Sequence, residues 1–327
     1  AENLCRGDYI ATTYVKEVQD VDRLNVIDFL NQESYLVMDG KIFRRIIRER
    51  SLKRGKFLSE QVKPVKNSVE VDAELMRLFG YYASEGDVDF DAVRFTFSAN
   101  EYGYARDVLS IIEKKFGLKG KIERSKTGNW INVRIHSVIL FDLFKALMGE
   151  GYDRKHVPTW MLKLPPEKQE GFIVGCFRGD SSLFFNRHTH NARLVMCNPN
   201  VVFAAWTMLL RMGIVPSLKT ERKRESGRKI PYLCTITSAQ ANNLLTKIYS
   251  TEIVSPTQLA MQRLKEKFFE GYLLLPIKDI ERVEEEQIVY NLEVEGDHTY
   301  VANCVAVHNC FVLPVEDSLE SIFAAVK

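Results

Sequence analysis

The feature of the sequence that most restricts the fold is an internal repeat of an apolar helix pattern that ends in an acidic residue. The pattern spans residues 75–87 and returns 95 positions later. In both copies a glycine lies five residues before the acid, Gly80 before Glu85 and Gly175 before Asp180. Self-similarity at a fixed spacing is typical of two copies of one structural unit. The sequence therefore predicts an α+β fold made of two halves related by a pseudo-twofold axis.

Within each half, the polar and apolar residues predict the succession αββαββα. In the first copy, a strand follows the motif helix. The next predicted elements are a helix at 108–116, a basic hairpin at 119–124 and 130–135, and a closing helix at 138–148. In the second copy they are a helix at 202–212, a hairpin at 218–224 and 230–237, and a closing helix at 239–248.

Glu85 and Asp180 are the candidate catalytic residues and metal ligands. Small residues such as Gly80 and Gly175 let the two motif helices approach closely, which brings the acids at their ends together. Paired carboxylates are hard oxygen ligands suited to Mg²⁺, which activates water and stabilises the leaving oxygen of a phosphodiester. The alternative is two helix ends whose acids face solvent. The same spacing in two matching repeats favours the paired site.

Residues 74–249 resemble the LAGLIDADG homing endonucleases in the single-chain form found inside inteins. The resemblance implies cleavage of double-stranded DNA at a long pseudo-palindromic site by a monomeric, Mg²⁺-dependent enzyme. It also implies a catalytic lysine in a Lys-x-hydrophobic-Pro segment, which Lys155 matches, although a surface lysine before a helix fits equally well. No second-half equivalent is clear, and Lys247 is the best of the poor candidates.

Two residues of the second motif depart from the family pattern. Arg178 stands where the family usually has an acid, and Ser181 stands where it has glycine. Arg178 precedes Asp180 by two residues, so a pairing between them that lowers metal affinity is one expectation. Neither change removes the acids, and a competent nuclease remains the favoured interpretation.

The predicted hairpins carry the candidate DNA-binding residues. A two-stranded ribbon fits the major groove, with some side chains reaching base edges and others phosphates. Basic hairpins are more often simply solvated, and their paired placement beside the acidic motifs is what favours DNA. The candidates are Lys119, Lys121, Arg124, Lys126 and Arg134 in the first copy, and Lys219, Arg222, Lys223, Arg224, Arg228 and Lys229 in the second.

A further basic cluster at 41–56 has eight basic residues in sixteen. Its Ile and Phe positions predict an amphipathic helix. This helix is either an additional DNA-binding arm or a charged helix packed on the body of the protein.

Near the C-terminus, His308-Asn309-Cys310 has the residues for a self-cleaving peptide bond. The Asn309 amide nitrogen can attack its own backbone carbonyl and close a succinimide, with His308 supplying the proton that the leaving amine needs. The Cys310 thiol can hold an acyl chain as a thioester. The preceding run 289–303 alternates around a Gly-Asp turn, which predicts two strands that bring His298 and His308 together.

These residues resemble the C-terminal splicing blocks of inteins, and residues 1–10 resemble the strand turn that follows their Thr-x-x-His block. No Thr-x-x-His occurs in the chain. The expectation is a partial all-β Hint splicing domain whose N-terminal half is absent or is a separate partner chain. Asn291 stands where the family usually has Asp, so control of the intermediate steps is expected to differ.

Residues 310–327 resemble ribonucleotide reductases of the adenosylcobalamin-dependent class around their redox-active cysteine. The resemblance implies that they belong to a host enzyme, and adenosylcobalamin would be a cofactor of that host only. The predicted segments are a partial splicing domain at 1–20, a basic linker or DNA-binding arm at 21–70, the two endonuclease repeats at 71–160 and 161–268, a splicing segment at 269–309, and the host at 310–327.

Composition adds weaker limits. The chain has 327 residues, 46% apolar and 27% charged, as in ordinary soluble proteins. No run is long and apolar enough to span a membrane. The six cysteines form no C-x-x-C pair, so a zinc site or disulfide framework is not expected and a cytosolic, hence cytoplasmic, location fits. Because the net charge is only +2, affinity for nucleic acid has to come from local basic patches.

Overall fold

The computed structural model describes residues 4–12, 17–45, 63–186, 189–220, 229–250, 253, 267–269, 272–277, 279–280, 299–302 and 305–308. The chain divides into two compact units. A terminal unit contains Ala1–Tyr14 and Lys265–Lys327, and a central unit contains Val15–Leu264. Among the described helices, none combines the length and the apolar character that crossing a membrane requires.

Short strands precede the first repeat. They are β1 (Tyr9–Thr12), β2 (Arg23–Asn25), β3 (Tyr35–Met38), β4 (Lys41–Arg44), β5 (Val65–Lys66) and β6 (Ser68–Glu70), with a 3-10 helix at Val26–Phe29. Strands β2 and β6 form one antiparallel pair, and β3, β4 and β5 form a three-stranded sheet.

The helix predicted from residue 41 onward was wrong for its described part, because Lys41–Arg44 is strand β4. β4 pairs with β3, and its Ile42 is fully buried. Asp39 and Gly40 connect the two strands with φ of 48° and 71°. Positive φ at both loop residues defines the hairpin turn that Asp-Gly favours, and this signal was overlooked in the sequence. Residues 46–56, the rest of the basic cluster, lie outside the described residues.

The first repeat has the predicted αββαββα order. Its elements are α1 (Ala73–Glu85), β7 (Gly86–Asp89), β8 (Ala92–Ser98), α2 (Tyr102–Phe116), β9 (Lys121–Arg124), β10 (Trp130–His136) and α3 (Val138–Met148). The strands form an antiparallel sheet in the order β7-β8-β10-β9. Asp72 caps α1 by accepting from Leu75 N, and Ser137 caps α3 by accepting from Leu140 N. Such caps satisfy backbone N–H groups that the first helical turn leaves free.

Two short helices, α4 (Gly151–Arg154) and α5 (Thr159–Lys163), connect the repeats. The second repeat has the same order of elements: α6 (Pro166–Asp180), β11 (Ser181–Asn186), β12 (Thr189–Met196), α7 (Pro199–Arg211), β13 (Ser217–Thr220), β14 (Tyr232–Thr237) and α8 (Ser238–Tyr249). Its sheet order, β11-β12-β14-β13, matches that of the first repeat. The central unit is therefore α+β with the predicted pseudo-twofold arrangement.

The sheet of the first repeat has one buried and one polar face. In the first repeat the buried face of β8 and β10 consists of Val93, Phe95, Phe97, Ile131, Val133 and Ile135, all at most 3% exposed. Burying an apolar side chain of this size contributes about 1.5–3 kcal/mol relative to leaving it in water. The alternating residues of the same strands form the polar face, because successive strand side chains point to opposite sides.

The terminal unit is an antiparallel sheet in the order β15-β16-β1-β18-β17. The strands not yet given are β15 (Lys267–Phe269), β16 (Tyr272–Pro276), β17 (Thr299–Ala302) and β18 (Val305–His308). Strand β1, from the start of the chain, lies between β16 and β18. Backbone hydrogen bonds from Gly7 N to Ile277 O and from Ile277 N to Asp8 O extend the first pairing, at 3.0 and 2.7 Å.

Candidate catalytic and nucleic-acid-binding site

Helices α1 and α6 pack backbone against backbone. A Cβ atom at Gly175 would lie 2.1 Å from Arg77 O, and one at Gly80 would lie 2.2 Å from Phe172 O. One at Gly171 would lie 2.0 Å from Ala73 O. Only glycine fits such positions, because real Cβ atoms do not approach other atoms so closely.

The two helices run parallel, so their C-terminal ends meet. Contacts begin between Gly171 and Ala73 and end at Gly179, where a Cβ would lie 2.1 Å from Ser84 Oγ and 2.8 Å from Glu85 Cγ. Glu85 and Asp180 are the last residues of α1 and α6. The structure thus brings the two predicted acids to one place.

The surroundings of these acids favour their protonated forms. Burial raises the pKa of Glu85 to about 8, and the negative charges of Asp180 and Glu101 add to the rise. Burial also raises the pKa of Asp180 to about 6, with the charge of Lys155 opposing the rise. Removing carboxylates from water and placing them beside like charges both disfavour ionisation. Perturbed acids of this kind are typical of functional sites.

Lys155 belongs to the same site. Its side chain is buried, its Nζ donates to Ala83 O at 3.2 Å, and Nζ lies 5.3 Å from the centre of the Tyr82 ring. Burial lowers the pKa of Lys155, while the nearby carboxylates of Asp87, Asp180 and Glu85 act in the opposite direction. The structure therefore places this lysine with the acids and not on the surface.

A cleft of about 640 Å³ opens beside the acids on the polar face of the first sheet. Its lining includes Glu85, Glu101, Arg94, Thr96, Trp130 and Asn132. Sequence reasoning missed Glu101, whose Oε2 accepts from Ser98 N at 2.8 Å in a capping box. The Ser-x-x-Glu spacing was the available signal. Burial raises the pKa of Glu101, and its charge raises the pKa of both catalytic candidates.

The predicted DNA-binding residues of the first hairpin divide between two faces. Lys121 pairs with Arg134, and Arg134 pairs with Arg94, so all three lie on the cleft face. Arg124 pairs with the buried Ile131 and lies on the opposite face. Lys119 forms an exposed ion pair with Glu113, with 3.7 Å between Nζ and Oε1. Lys126 lies in the exposed turn after β9.

In the second hairpin, two of the predicted residues are described. Lys219 lies on β13 opposite Leu233. Lys229 Nζ lies 3.0 Å from Asp153 Oδ2 and 4.5 Å from the centre of the Tyr152 ring. Arg222, Lys223, Arg224 and Arg228 lie outside the described residues.

The expected pairing of Arg178 with Asp180 is not present. The Arg178 guanidinium instead donates to Ile248 O at 2.9 Å and to Tyr81 Oη at 3.0 Å, and it lies 3.5 Å from Asp107 Oδ2. Side chains two positions apart on an α-helix point in directions that differ by about 200° around the helix axis. The Arg178 side chain is therefore directed away from Asp180. The guanidinium therefore ties α6 to α8 and α2.

Lys247 does not lie with the acids either. Its Nζ donates to Glu170 Oε1 at 2.6 Å, and its side chain is 55% exposed. Lys247, the candidate for a second catalytic lysine, therefore forms a surface ion pair and does not contact the acids. Ser181 is held by Tyr249, with 2.6 Å between the two hydroxyl oxygens.

Of the predicted splicing residues in the terminal unit, the structure describes only His308. His308 is the last residue of β18, and its register partner on β17 is Thr299. His298, Asn291, Asn309 and Cys310 lie outside the described residues.

Comparison with known proteins finds relatives that are similar over most of this chain but share a low sequence identity with it. No protein-family model matches the chain. An uncharacterized protein of Methanocaldococcus jannaschii is 27% identical over 320 residues, which are 95% of this chain and 36% of that protein. The ATP-dependent DNA helicase of Thermococcus kodakarensis is 25% identical over 259 residues, 77% of this chain and 23% of the helicase. An iron–sulfur cluster assembly SufBD family protein of Mycobacterium tuberculosis is 23% identical over 285 residues, 85% of this chain and 32% of that protein.

The chain thus spans about a third or less of the length of these relatives. Among solved structures, the homing endonuclease I-DmoI in complex with DNA and Ca is similar over 59% of this chain and 97% of that chain, with a TM-score of 0.41 and 15% identity. The N-terminal LAGLIDADG domain of DUF199/WhiA is similar over 58% of this chain and 86% of that chain, with a TM-score of 0.38 and 14% identity.

Proposed function

We propose that the central unit is a DNA endonuclease that hydrolyses both strands of a duplex at a specific site with the help of Mg²⁺. The observation that carries the proposal is the convergence of Glu85, Asp180 and buried Lys155 where two parallel helices end. These groups adjoin a cleft on a polar sheet face that carries Arg94, Arg134 and Lys121. The arginine and lysine side chains would bind the phosphates of a polyanion such as DNA, and the adjacent acids would hold the cation that assists its hydrolysis.

The donor set fits a hard divalent cation. Two carboxylates that repel one another when ionised are stabilised by a shared cation, which Mg²⁺ provides through oxygen ligands. Among the described residues, no group of three His, Cys, Asp or Glu side chains is placed to hold a metal ion. Glu85 and Asp180 would therefore leave ligand positions for water and phosphate. When bound, the cation supplies charge stabilisation and a more acidic water.

The protein groups have separate tasks in this proposal. Glu85 and Asp180 bind the cation in their ionised forms. Lys155 holds a positive charge beside the scissile phosphate or its water, fixed by its bond to Ala83 O. A fixed charge in a buried site stabilises developing negative charge without reorganisation during the reaction. Hydrolysis joins the water oxygen to phosphorus as the bond from phosphorus to a sugar oxygen breaks, and that oxygen takes up a proton.

The two sheets are proposed to bind successive halves of one DNA site. Their matching strand orders support a long, pseudo-palindromic target bound by a single chain. Strand side chains in the major groove read base edges, and Lys and Arg contact phosphates.

The test uses a supercoiled plasmid that carries the host gene with the coding sequence of the insertion removed, here called the joined-gene plasmid. With Mg²⁺ the protein should convert it to linear DNA. Glu85→Gln and Asp180→Asn should bind the same DNA in a gel-shift assay with Ca²⁺ and fail to cut it with Mg²⁺. Full cutting by either variant would refute the assigned acids. No cutting by the wild type would favour the alternative, a chain that acts only in splicing.

We also propose that the terminal unit is part of an intein splicing domain. The supporting observation is that segments from both ends of the chain form one sheet, with β1 between β16 and β18. In addition, a helicase and an iron–sulfur cluster assembly protein each contain a segment similar to most of this chain. A segment found in proteins with different activities is not expected to be needed for the activity of either protein. An insertion that excises itself from its host protein would have this distribution.

The proposed cleavage breaks the peptide bond between Asn309 and Cys310. The Asn309 amide nitrogen attacks the Asn309 carbonyl carbon, the carbonyl–nitrogen bond breaks, and the amine of Cys310 leaves with a proton that His308 supplies. A second splicing chain would be the partner for the full reaction. The freed residues 310–327 would belong to a ribonucleotide reductase whose cofactor is adenosylcobalamin.

Mass spectrometry of the purified chain tests this chemistry. Slow loss of residues 310–327 is expected, with a succinimide at the new C-terminus. Asn309→Ala should keep the tail. Equal release from that variant would exclude cyclisation.

A further inference from the structure

We infer that the second repeat recognises its half of the DNA site through the 5-methyl groups of thymine. The residues that carry this inference are Val195 and Leu233, which pair across strands β12 and β14. They form an apolar row where the first repeat has polar side chains. The inference deepens the proposed nuclease function and rests on it.

The apolar row lies on the outer face of the second sheet. Leu194 and Cys234 pair across β12 and β14 and are fully buried, so their side chains mark the inner face. Adjacent side chains of a strand point to opposite sides of the sheet. Val195 and Leu233 are adjacent to this buried pair and therefore point outward. Val195 is 40% exposed, and Leu233 is partly exposed.

The strand registers identify the matching row of the first repeat. The residue two positions after the motif acid pairs with Arg94 in the first repeat and with Arg193 in the second. The residues two positions further along the same strands are Thr96 on β8 and Val195 on β12. These two residues therefore occupy the same place in their sheets.

The matching rows differ in their chemistry. In the first repeat Thr96 pairs with Asn132, with 2.9 Å between Thr96 Oγ1 and Asn132 Oδ1, and both residues line the cleft beside Glu85. Hydroxyl and amide groups can form hydrogen bonds with base edges. In the second repeat Val195 and Leu233 have no polar side-chain atom. DNA over this row would therefore meet hydrocarbon instead of donors and acceptors.

Basic residues adjoin the apolar row on the same face. Lys219 pairs with Leu233 across β13 and β14. Arg193 precedes Val195 by two residues, and its guanidinium lies 4.8 Å from the centre of the Phe184 ring. Among the described positions of β11 to β14, the outer face carries no acidic residue. This charge suits a polyanion, whose phosphates the cations would hold while its bases lie over the apolar row.

Thymine is the base that fits this row. In the major groove the C5-methyl group of thymine is apolar, whereas the other features of the base edges are hydrogen-bond donors and acceptors. Placing a donor or acceptor against hydrocarbon removes its water without supplying a partner, which is unfavourable. Burying a methyl group is favourable and should raise the affinity about fourfold for each methyl.

The experiment uses duplexes with the target sequence of the joined-gene plasmid. Thymine is replaced by uracil, which lacks only the C5-methyl group, in one half of the site at a time. Fluorescence anisotropy with Ca²⁺ measures binding without cutting. The wild-type protein should lose affinity about fourfold for each contacted methyl in one of the halves. Unchanged binding of both substituted duplexes, or a target without thymine, overturns the inference alone. No binding of the unsubstituted duplex overturns the proposed function together with it.

Variants of the apolar row locate the contact. The double substitution Val195→Ala and Leu233→Ala should remove the penalty for uracil in that half, with a circular dichroism spectrum like that of the wild type. Where the double variant does not fold, Val195→Ala alone should still reduce the penalty. Val37→Ala is the matched control, because Val37 is 41% exposed on β3, outside both repeat sheets, and it should keep the penalty. A penalty that survives loss of the apolar row, or that disappears in Val37→Ala, overturns the assignment.

Discussion

At the scale of single residues, the site depends on two acids that the fold holds in unfavourable surroundings. Burial and mutual repulsion raise the pKa of Glu85 to about 8, so in the absence of a cation this side chain carries a proton at neutral pH. Binding of a divalent cation has to displace that proton. Cation affinity is thereby linked to pH, because ligands bind in their ionised form.

The first prediction concerns stability without metal. The pKa of Glu85 rises from 4.5 in the unfolded chain to about 8 in the folded protein, and that of Asp180 rises from 3.8 to about 6. A folded state that holds extra protons loses stability as pH rises. The free energy of unfolding should therefore fall from pH 5 to pH 8, most steeply below the folded pKa of Asp180, and level off once the pH passes the folded pKa of Glu85. Urea unfolding in EDTA at several pH values measures this.

Glu85→Gln should flatten the pH dependence between the folded pKa values of Asp180 and Glu85, because an amide does not titrate and Asp180 contributes only at lower pH. Glu123→Gln on the exposed edge strand β9 should keep the wild-type slope. A Glu85→Gln protein with an unchanged slope would show that Glu85 is ionised in the folded state.

At the scale of elements, the contact between α1 and α6 positions the site. Its glycines allow backbone carbonyl groups of one helix to pack directly against the other helix. This close contact holds the acids at the two helix ends near each other. Packed interfaces of this density respond strongly to added atoms.

The second prediction tests this contact with a matched pair of helix substitutions. Gly175→Ala should destabilise the protein by about 1–3 kcal/mol or more, since the new Cβ would lie 2.1 Å from Arg77 O. Gly103→Ala in α2 should stabilise it by about 0.5–1 kcal/mol, because beyond the adjoining residues and helix backbone no atom lies within 4 Å of that Cβ and alanine favours helix. Thermal unfolding measures both changes. Equal effects of the two substitutions would contradict the close helix contact.

The third prediction uses the strand register of β9. Lys121→Ala should weaken DNA binding and reduce the slope of log affinity against log salt concentration by about 1, as expected for one lost phosphate contact. Arg124→Ala should change the slope little, because Arg124 lies on the face opposite the cleft. Salt titrations by fluorescence anisotropy on a joined-gene duplex provide the comparison. A larger effect of Arg124→Ala would place DNA on the other face.

At the scale of the whole molecule, two units divide the proposed chemistry. The acids, Lys155 and both polar sheet faces belong to the central unit, whereas His308 belongs to the terminal unit. Each unit has its own sheets, and no proposed catalytic group is shared between them.

The fourth prediction is that the two activities can be lost separately. Asp180→Asn should stop DNA cutting and leave release of residues 310–327 unchanged, because no step of cyclisation uses Asp180. Asn309→Ala should stop release and leave DNA cutting unchanged. Parallel gel assays and mass spectrometry on the same preparations check this. Loss of both activities in either variant would contradict the division.

The sequence by itself determined the order of elements within the two repeats and the convergence of the two motif helices that end in Glu85 and Asp180. Helix and strand periodicities are local, and the equal spacing from Gly80 to Glu85 and from Gly175 to Asp180 already implied the paired helices. The hairpin at Asp39-Gly40 was also predictable, because its turn residues are adjacent in the chain.

Only the tertiary structure decided which charges meet. Arg178 lies beside Asp107 and not Asp180, Lys155 is buried while Lys247 is exposed, and Glu101 joins the acids from the start of α2. These partners are tens of residues apart in the chain, and helix rotation and strand register choose among them. A local pattern cannot fix such pairings, because each depends on how distant elements pack.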